Sequence, residues 1–227
     1  NVYLCEMKEY QANLYKNNTK SRFSKEQFSN LTFPMNSLTK NLFTFDTLFT
    51  NKTHIFTPNN KELADELLDN IENYSIKISE LLKNINACEN GKIFIYTPKI
   101  KGEYAGTNFL QIILEHYGYS RKTIIREKVA IENSYDMNLN PKSPNFKGYY
   151  MVAPAVDNFS TYIANFNEKS NNYGEEIKII IGTTNMFEGV SLSNIRQIHI
   201  MEPWYNISRN EQIMGRGIRQ CSHIKLP

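Results

Sequence analysis

The chain has 227 residues, 41% hydrophobic and 22% charged, with a formal net charge of +3. That composition suits a globular protein with one sizeable core and excludes a wholly disordered chain. No apolar run approaches the ~18 residues that a membrane-crossing helix needs, and so small a charge is weak evidence by itself for a nucleic-acid partner.

In chain order, "EMKEYQANLYK" carries Met7, Tyr10 and Leu14 on one helical stripe, and Pro34 in "NLTFPMNSL" breaks any helix there. Residues 47–60 read as loop. "KELADELLDNIENY" and "SIKISELLKNIN" place leucines and isoleucines at helical spacing, so both are expected to be helices. After "ENG", the run "KIFIYT" reads as a buried strand, and "GTNFLQIILEHYGY" reads as a helix ended by Gly118. Residues 120–148 are polar and punctuated by prolines, and are expected to be an irregular insertion. "YYMVAP", "EIKIIIG" and "RQIHIMEP" follow as strands, with "NFSTYIANFN" as a helix between the first two. In "SRNEQIMGRGIR", Ser208 precedes Glu211 by three residues, the spacing of a capping box. Apolar strands alternating with amphipathic helices predict an α/β fold with a mostly parallel sheet flanked by helices, plus an N-terminal helical or irregular lead-in.

Cys5, Cys88 and Cys221 are odd in number and far apart, which fits reduced thiols in an intracellular protein better than disulfides or zinc. No signal peptide is legible at the start. A chain that lacks an initiating Met and stops after Pro227 reads as a piece of a longer protein.

Three stretches carry candidate chemistry. In a terminal helix, Gln212, Arg216 and Arg219 fall at i, i+4 and i+7, on a single face. Two guanidiniums with planar bidentate donors suit an oxyanion such as a triphosphate, though two arginines alone more often form a solvated basic face. A buried strand and a proline turn precede the helix, so its side chains are expected to project from the carboxyl edge of the sheet. Gly215 and Gly217 each disfavour a helix by about 1 kcal/mol, a cost whose expected compensation is close approach by backbone or ligand. In "GTTNMFEGVSL", Gly182, Thr183 and Thr184 follow a strand and offer amides and hydroxyls to phosphate, or serve as ordinary turn chemistry. In "IYTPKIKGEYAGTNF", Thr97 ends a strand, Lys99 and Lys101 lie in a loop, and Gly106 and Thr107 open a helix whose amide end attracts phosphate, although these residues alone better suit a solvated basic loop with an ordinary N-cap. His199 reads as a packed strand residue, with no second metal-type residue at a matching spacing.

Together, "IIIGTTNMFEGVSL", "QIHIMEPWYN" and "QIMGRGIR" resemble motifs V and VI of superfamily 2 helicases, and "GKIFIYTP" looks like motif IV. Their order suits the second of the two RecA-like domains in such motors. The extension "GRGIRQCSHIKLP" resembles the subgroup of large cytoplasmic DNA viruses that includes poxvirus nucleoside triphosphatase I and the early transcription factor small subunit, with asfarvirus relatives. The resemblance implies a lead-in over 1–60 and a C-terminal RecA-like domain over 61–227.

By the same resemblance, Arg216 and Arg219 would be arginine fingers, and Gln212 would organise the γ-phosphate and attacking water. Glu188, Gly189 and Gly215 would lie at the nucleotide cleft, while Thr97, Lys99, Gly106, Thr107 and Thr183 would face a nucleic-acid backbone. Thr184 stands where many helicases of the superfamily have Asp, so that contact does not transfer.

ATP and Mg²⁺ are the implied cofactors. The implied partners are DNA or RNA, the N-terminal RecA-like domain of the same protein, and viral RNA polymerase or transcription-factor subunits, in host cytoplasm or virion and without a membrane. The sequence contains no G-x-x-x-x-G-K-[ST] phosphate loop, so this stretch alone is expected to be inactive. The competing expectations are a non-catalytic docking domain of a transcription complex and a translocase subunit of a restriction-type system.

Overall fold

The computed structural model describes residues 6–17, 30–34, 42–52, 55–100, 102, 105–125, 128–135, 145–153, 158–184, 190–202 and 207–217. By packing, the chain falls into two compact units, one built from 1–84, 100–116 and 134–136, the other from 85–99, 117–133 and 137–227. Residue 60, the boundary expected from the sequence, lies inside the first unit.

The first unit is mainly helical. Helix α1 (Glu9–Asn17) buries Gln11, whose side-chain oxygen accepts the Ile76 amide at 3.1 Å. That bond satisfies one of the orphan donors at the start of helix α5 (Ile76–Ala87). Residues 47–60 are not a loop throughout. Helix α2 (Phe45–Leu48) runs into an antiparallel hairpin of β1 (Phe49–Lys52) and β2 (Ile55–Pro58). The apolar residues that hold the hairpin, Phe45, Phe49 and Phe56, are too few and too local to print a periodic signal.

"KELADELLDNIENY" forms two helices, α3 (Lys61–Asp69), capped by the Asn60 side chain, and α4 (Ile71–Tyr74). They meet at Asn70, whose φ of −109° and ψ of 34° are not helical. Helix α6 (Thr107–His116) closes the unit. Its buried Glu115 accepts the amides of Ser134 and Tyr135, and its Gln111 accepts the Ser134 hydroxyl at 2.9 Å.

The second unit holds a six-stranded sheet, mostly parallel and flanked by helices, an α/β arrangement of the RecA-like kind. Its strands are β3 (Lys92–Tyr96), β4 (Tyr119–Ile125), β5 (Lys128–Ile131), β6 (Gly148–Val152), β7 (Ile179–Gly182) and β8 (Ile195–Ile200). Their order is β5-β4-β6-β7-β3-β8, and only the β4–β5 pair is antiparallel. Strands β4 and β5 occupy the first part of the stretch expected to be an irregular insertion, whose residues 136–144 lie outside the described residues. Arg121, Lys122 and Lys128 interrupt their apolar pattern, because this side of the sheet is partly solvated.

The central strands β3 and β7 are buried at every position, as the apolar runs Ile93–Tyr96 and Ile179–Ile181 require, and β3 buries Lys92 with them. Helices α7 (Phe159–Asn167) and α8 (Ile207–Gly217) share one core with Phe94, Tyr96, Met151 and Ile180 through Tyr162, Phe166 and Ile213. Asn171, wholly buried, holds the turn after α7. Its amide donates to the Phe166 and Ile177 carbonyls, and its oxygen accepts the Glu176 and Ile177 amides. Among the described residues no helix is long and apolar enough to cross a membrane.

Candidate functional site

At the carboxyl ends of the parallel strands, the Thr97 amide donates to the Gly182 carbonyl at 3.1 Å. The Met201 amide donates to the Tyr96 carbonyl at 2.9 Å. The segments leaving β3, β7 and β8 therefore start side by side, as parallel neighbours must. Thr97 itself is wholly buried, and its hydroxyl accepts the Lys99 amide at 3.2 Å, which shapes the loop after β3. Lys99 Nζ lies 3.9 Å from a Glu202 carboxylate oxygen. Thr183 is half-buried and Thr184 exposed at the end of β7. Gly106 and Thr107 belong to the first unit, where both are buried and Thr107 opens α6.

Helix α8 begins at Ile207, one residue ahead of Ser208, and runs through Gly217. It places Gln212 exposed and Arg216 half-buried one turn apart on the same side. Arg216 is tied to the segment that follows β7. Its carbonyl accepts the Leu192 amide at 2.9 Å, and its Nη1 points to the Val190 carbonyl at 3.4 Å.

The two glycines divide the roles expected of them. A Cβ at Gly217 would come within 2.9 Å of Ile198 Cδ1 and 3.2 Å of Ile195 Cβ, so this glycine admits close packing of helix on strand. A Cβ at Gly215 would meet nothing within 4 Å. The position of Gly217 also corrects the expected direction. Because it packs on Ile195, the first residue of β8, the helix has turned back along the strand by its last turn. Arg216 therefore lies by residues 190–192 instead of projecting from the carboxyl edge. Arg219, Glu188 and Gly189 lie outside the described residues.

His199 is held among packed residues, with Nε2 2.9 Å from Gln197 Oε1, and burial pushes its pKa down to about 4. It stays neutral at physiological pH. Lys92, at the start of β3, is a buried cation that gave no signal in the sequence. Its Nζ donates to the Phe166 carbonyl at 2.7 Å and lies 4.5 Å from the Phe166 ring centre, and burial lowers its pKa to about 8. An alternation count does not reveal it, because a strand's first residue is ordinarily half-exposed. Among the described residues there is no group of three or more His, Cys, Asp or Glu able to hold a metal ion.

No protein-family model matches the chain. A protein of Acanthamoeba polyphaga mimivirus, named "putative ATP-dependent RNA helicase", is 33% identical over 180 residues, which is 75% of this chain and 28% of that protein. A "putative helicase" of invertebrate iridescent virus 3 is 29% identical over 202 residues, 88% of this chain and 19% of that one. Nucleoside triphosphatase I of Melanoplus sanguinipes entomopoxvirus is 31% identical over 175 residues, 74% of this chain and 22% of that one. The chain thus spans less than a third of the length of each of these relatives. Its homologues are viral helicases, nucleoside triphosphatase I of entomopoxviruses among them, and the sheet described above is consistent with the C-terminal domain of such a helicase.

Proposed function

We propose that this chain is the C-terminal motor domain of an ATP-dependent nucleic-acid helicase or translocase of a large DNA virus, with Arg216 and Arg219 as its arginine fingers. The observation that carries this reading is the junction of Arg216 with Val190 and Leu192. It ties the helix bearing Gln212 and Arg216 to Val190 and Leu192, which in the sequence directly follow Glu188 and Gly189.

The residues at this junction fit a polyphosphate in kind. Arg216 supplies only donors, Gln212 is exposed one turn away, and Gly215 leaves open space between them. When bound, ATP supplies the phosphoryl group to be transferred, and Mg²⁺ neutralises charge on its oxygens. Arg216 and Arg219 would stabilise the charge that develops, Gln212 would orient the attacking water, and Glu188, Gly189 and Gly215 would line the cleft. We assign the phosphate loop and the Mg²⁺ ligands to an N-terminal RecA-like domain of the same protein, since this sequence has no G-x-x-x-x-G-K-[ST]. The chain alone would not turn over ATP.

Lys99 and Thr183, which retain accessible surface, would contact nucleic-acid phosphates, with Thr97 shaping the loop after β3; by the resemblance alone, Gly106 and Thr107 of the first unit would also face a nucleic-acid backbone. The setting would be viral transcription, beside polymerase or transcription-factor subunits, in host cytoplasm or virion.

The test is turnover of the full-length protein with Arg219→Ala and, separately, Arg216→Ala. Arginine fingers are worth roughly 10³- to 10⁵-fold in rate, so kcat should fall at least ~1,000-fold while the thermal unfolding midpoint of the Arg219 variant is unchanged. Near-normal turnover in both variants removes the assignment.

A further inference from the structure

The amino-terminal edge of the same sheet carries a second candidate site. A cavity of about 740 Å³ opens there, lined by Glu89 and Asn90 before β3, Lys147 before β6, Lys178 before β7 and Arg196 near the start of β8, with Tyr173 at its rim. Strands β6, β7, β3 and β8 are consecutive neighbours, so their starting loops converge on one spot. The volume lies in the range of small-molecule pockets.

Three features give this cavity a chemistry. First, it gathers three cations. Lys147 Nζ donates to Asn86 Oδ1 at 3.2 Å and Lys178 Nζ to the Glu89 carbonyl at 3.5 Å, and the Lys147 pKa is lowered, mainly by burial and further by Lys178. Against the two acids of the lining, Glu89 and Glu175, the three cations leave an excess of positive charge, which favours a bound anion. Of the two acids present, Glu175 is engaged locally, its carboxylate accepting the Tyr173 amide at 3.0 Å.

Second, the third cation is placed by a glycine. The Arg196 stem crosses Gly91 so closely that a Cβ there would lie 2.1 Å from Arg196 Cγ, and Gly91 has a φ of +132° that suits glycine. Arg196 is the extra residue where β8 shifts register between Lys92 and Ile93. Ile195 meets Gly217 of α8 while Arg196 meets Gly91, and the cavity lining includes none of Val190, Leu192 and Arg216 of the other junction.

Third, aromatic surface borders the cations. Tyr173 is 39% exposed, and Phe146, braced edge-on against Tyr149 at 4.9 Å, forms part of the wall. Cations beside an accessible ring match a ligand that is anionic at one end and flat at the other. An inorganic ion or an acidic side chain would leave the rings unused.

We propose that this cavity binds a nucleoside phosphate, with the phosphate on Lys147, Lys178 and Arg196 and the base against Tyr173. The nucleotide is either free or one unit of a single strand passing the amino-terminal edge.

The probes are AMP, inorganic phosphate and a 5′-phosphorylated (dA)₈ strand, titrated calorimetrically into this chain and into its Lys147→Ala, Arg196→Ala, Tyr173→Ala, Tyr173→Phe and Arg216→Ala variants. Lys147→Ala and Arg196→Ala should each weaken AMP at least 5-fold. Tyr173→Ala should do the same, Tyr173→Phe should bind normally, and Arg216→Ala should leave the part of binding that depends on Lys147 and Arg196 in place. Because the altered side chains are exposed or half-exposed, circular dichroism should show each variant folded. Tighter binding of the strand than of AMP assigns the site to a strand, and the reverse assigns it to free nucleotide. The proposal is overturned if AMP does not bind, if inorganic phosphate binds as tightly as AMP, or if Arg216→Ala alone abolishes binding. That last result would leave the Arg216 assignment standing.

Discussion

The Leu192 amide and the Arg216 carbonyl are joined by a 2.9 Å hydrogen bond, and this fixes the last turn of α8 against the segment leaving β7. The position of the Arg216 side chain is therefore set from two elements at once. The neighbouring glycines can be used to separate packing from chemistry.

Gly217→Ala should destabilise the chain by ~1–3 kcal/mol, since the added methyl meets Ile198 Cδ1 at 2.9 Å and both Ile195 and the helix backbone must give way. Gly215→Ala meets nothing and should stabilise α8 by ~0.5–1 kcal/mol. Urea unfolding of the two variants checks the contrast. If Gly215 also borders the nucleotide, the full-length Gly215→Ala enzyme should lose turnover in spite of its added stability.

Lys92 makes the stability of the sheet depend on alkaline pH. Its pKa is about 8 in the folded chain against 10.5 for the ordinary group, so between those values the unfolded chain holds a proton that the folded chain has released. Stability should rise as pH climbs from 8 to 10.5. Lys92→Met should remove that rise and add ~1–2 kcal/mol at pH 7, because the Phe166 carbonyl keeps its second donor, the Asn171 amide. Chemical unfolding at pH 7 and pH 10 in both proteins measures this.

His199 sets the acid side. Its folded pKa of about 4 lies below the ordinary 6.5, so the unfolded chain binds the proton first. The contribution is complete above pH 6.5 and is lost as pH falls towards 4. Melting temperature should drop between pH 7 and pH 5 in the wild type, and His199→Gln should flatten that drop.

Nucleic-acid binding by the full-length protein, if it runs through phosphate contacts, should weaken linearly in log affinity against log salt and tolerate changes of sequence. Lys99→Ala should reduce that slope by about one unit of charge. Filter binding between 50 and 200 mM salt decides it, and an affinity indifferent to salt would count against a backbone track.

The sheet was legible where it is buried on both faces. "KIFIYT" and "IKIIIG" leave no other reading once both sides of a strand must be apolar, and the two leucine- and isoleucine-rich segments before "KIFIYT" announce their helices. Legibility failed where burial is one-sided or local, at β4 with Arg121 and Lys122 and at the β1–β2 hairpin held by three phenylalanines. In the candidate site, the shared face of Gln212 and Arg216 follows from helical spacing alone. The fold back of α8 along β8 does not, because it depends on which strand residue Gly217 meets.

The place of β3 in the sheet order has a consequence for synthesis. Its partners are β7, through Ile93 and Ile179, and β8, both made more than eighty residues later. At translation rates of ~5–20 residues per second, this apolar ribbon leaves the ribosome with both edges unpaired for roughly 4 to 17 s. Until β7 emerges, the nascent chain therefore presents an unpaired edge on each side of β3, the kind of surface that chaperones cover.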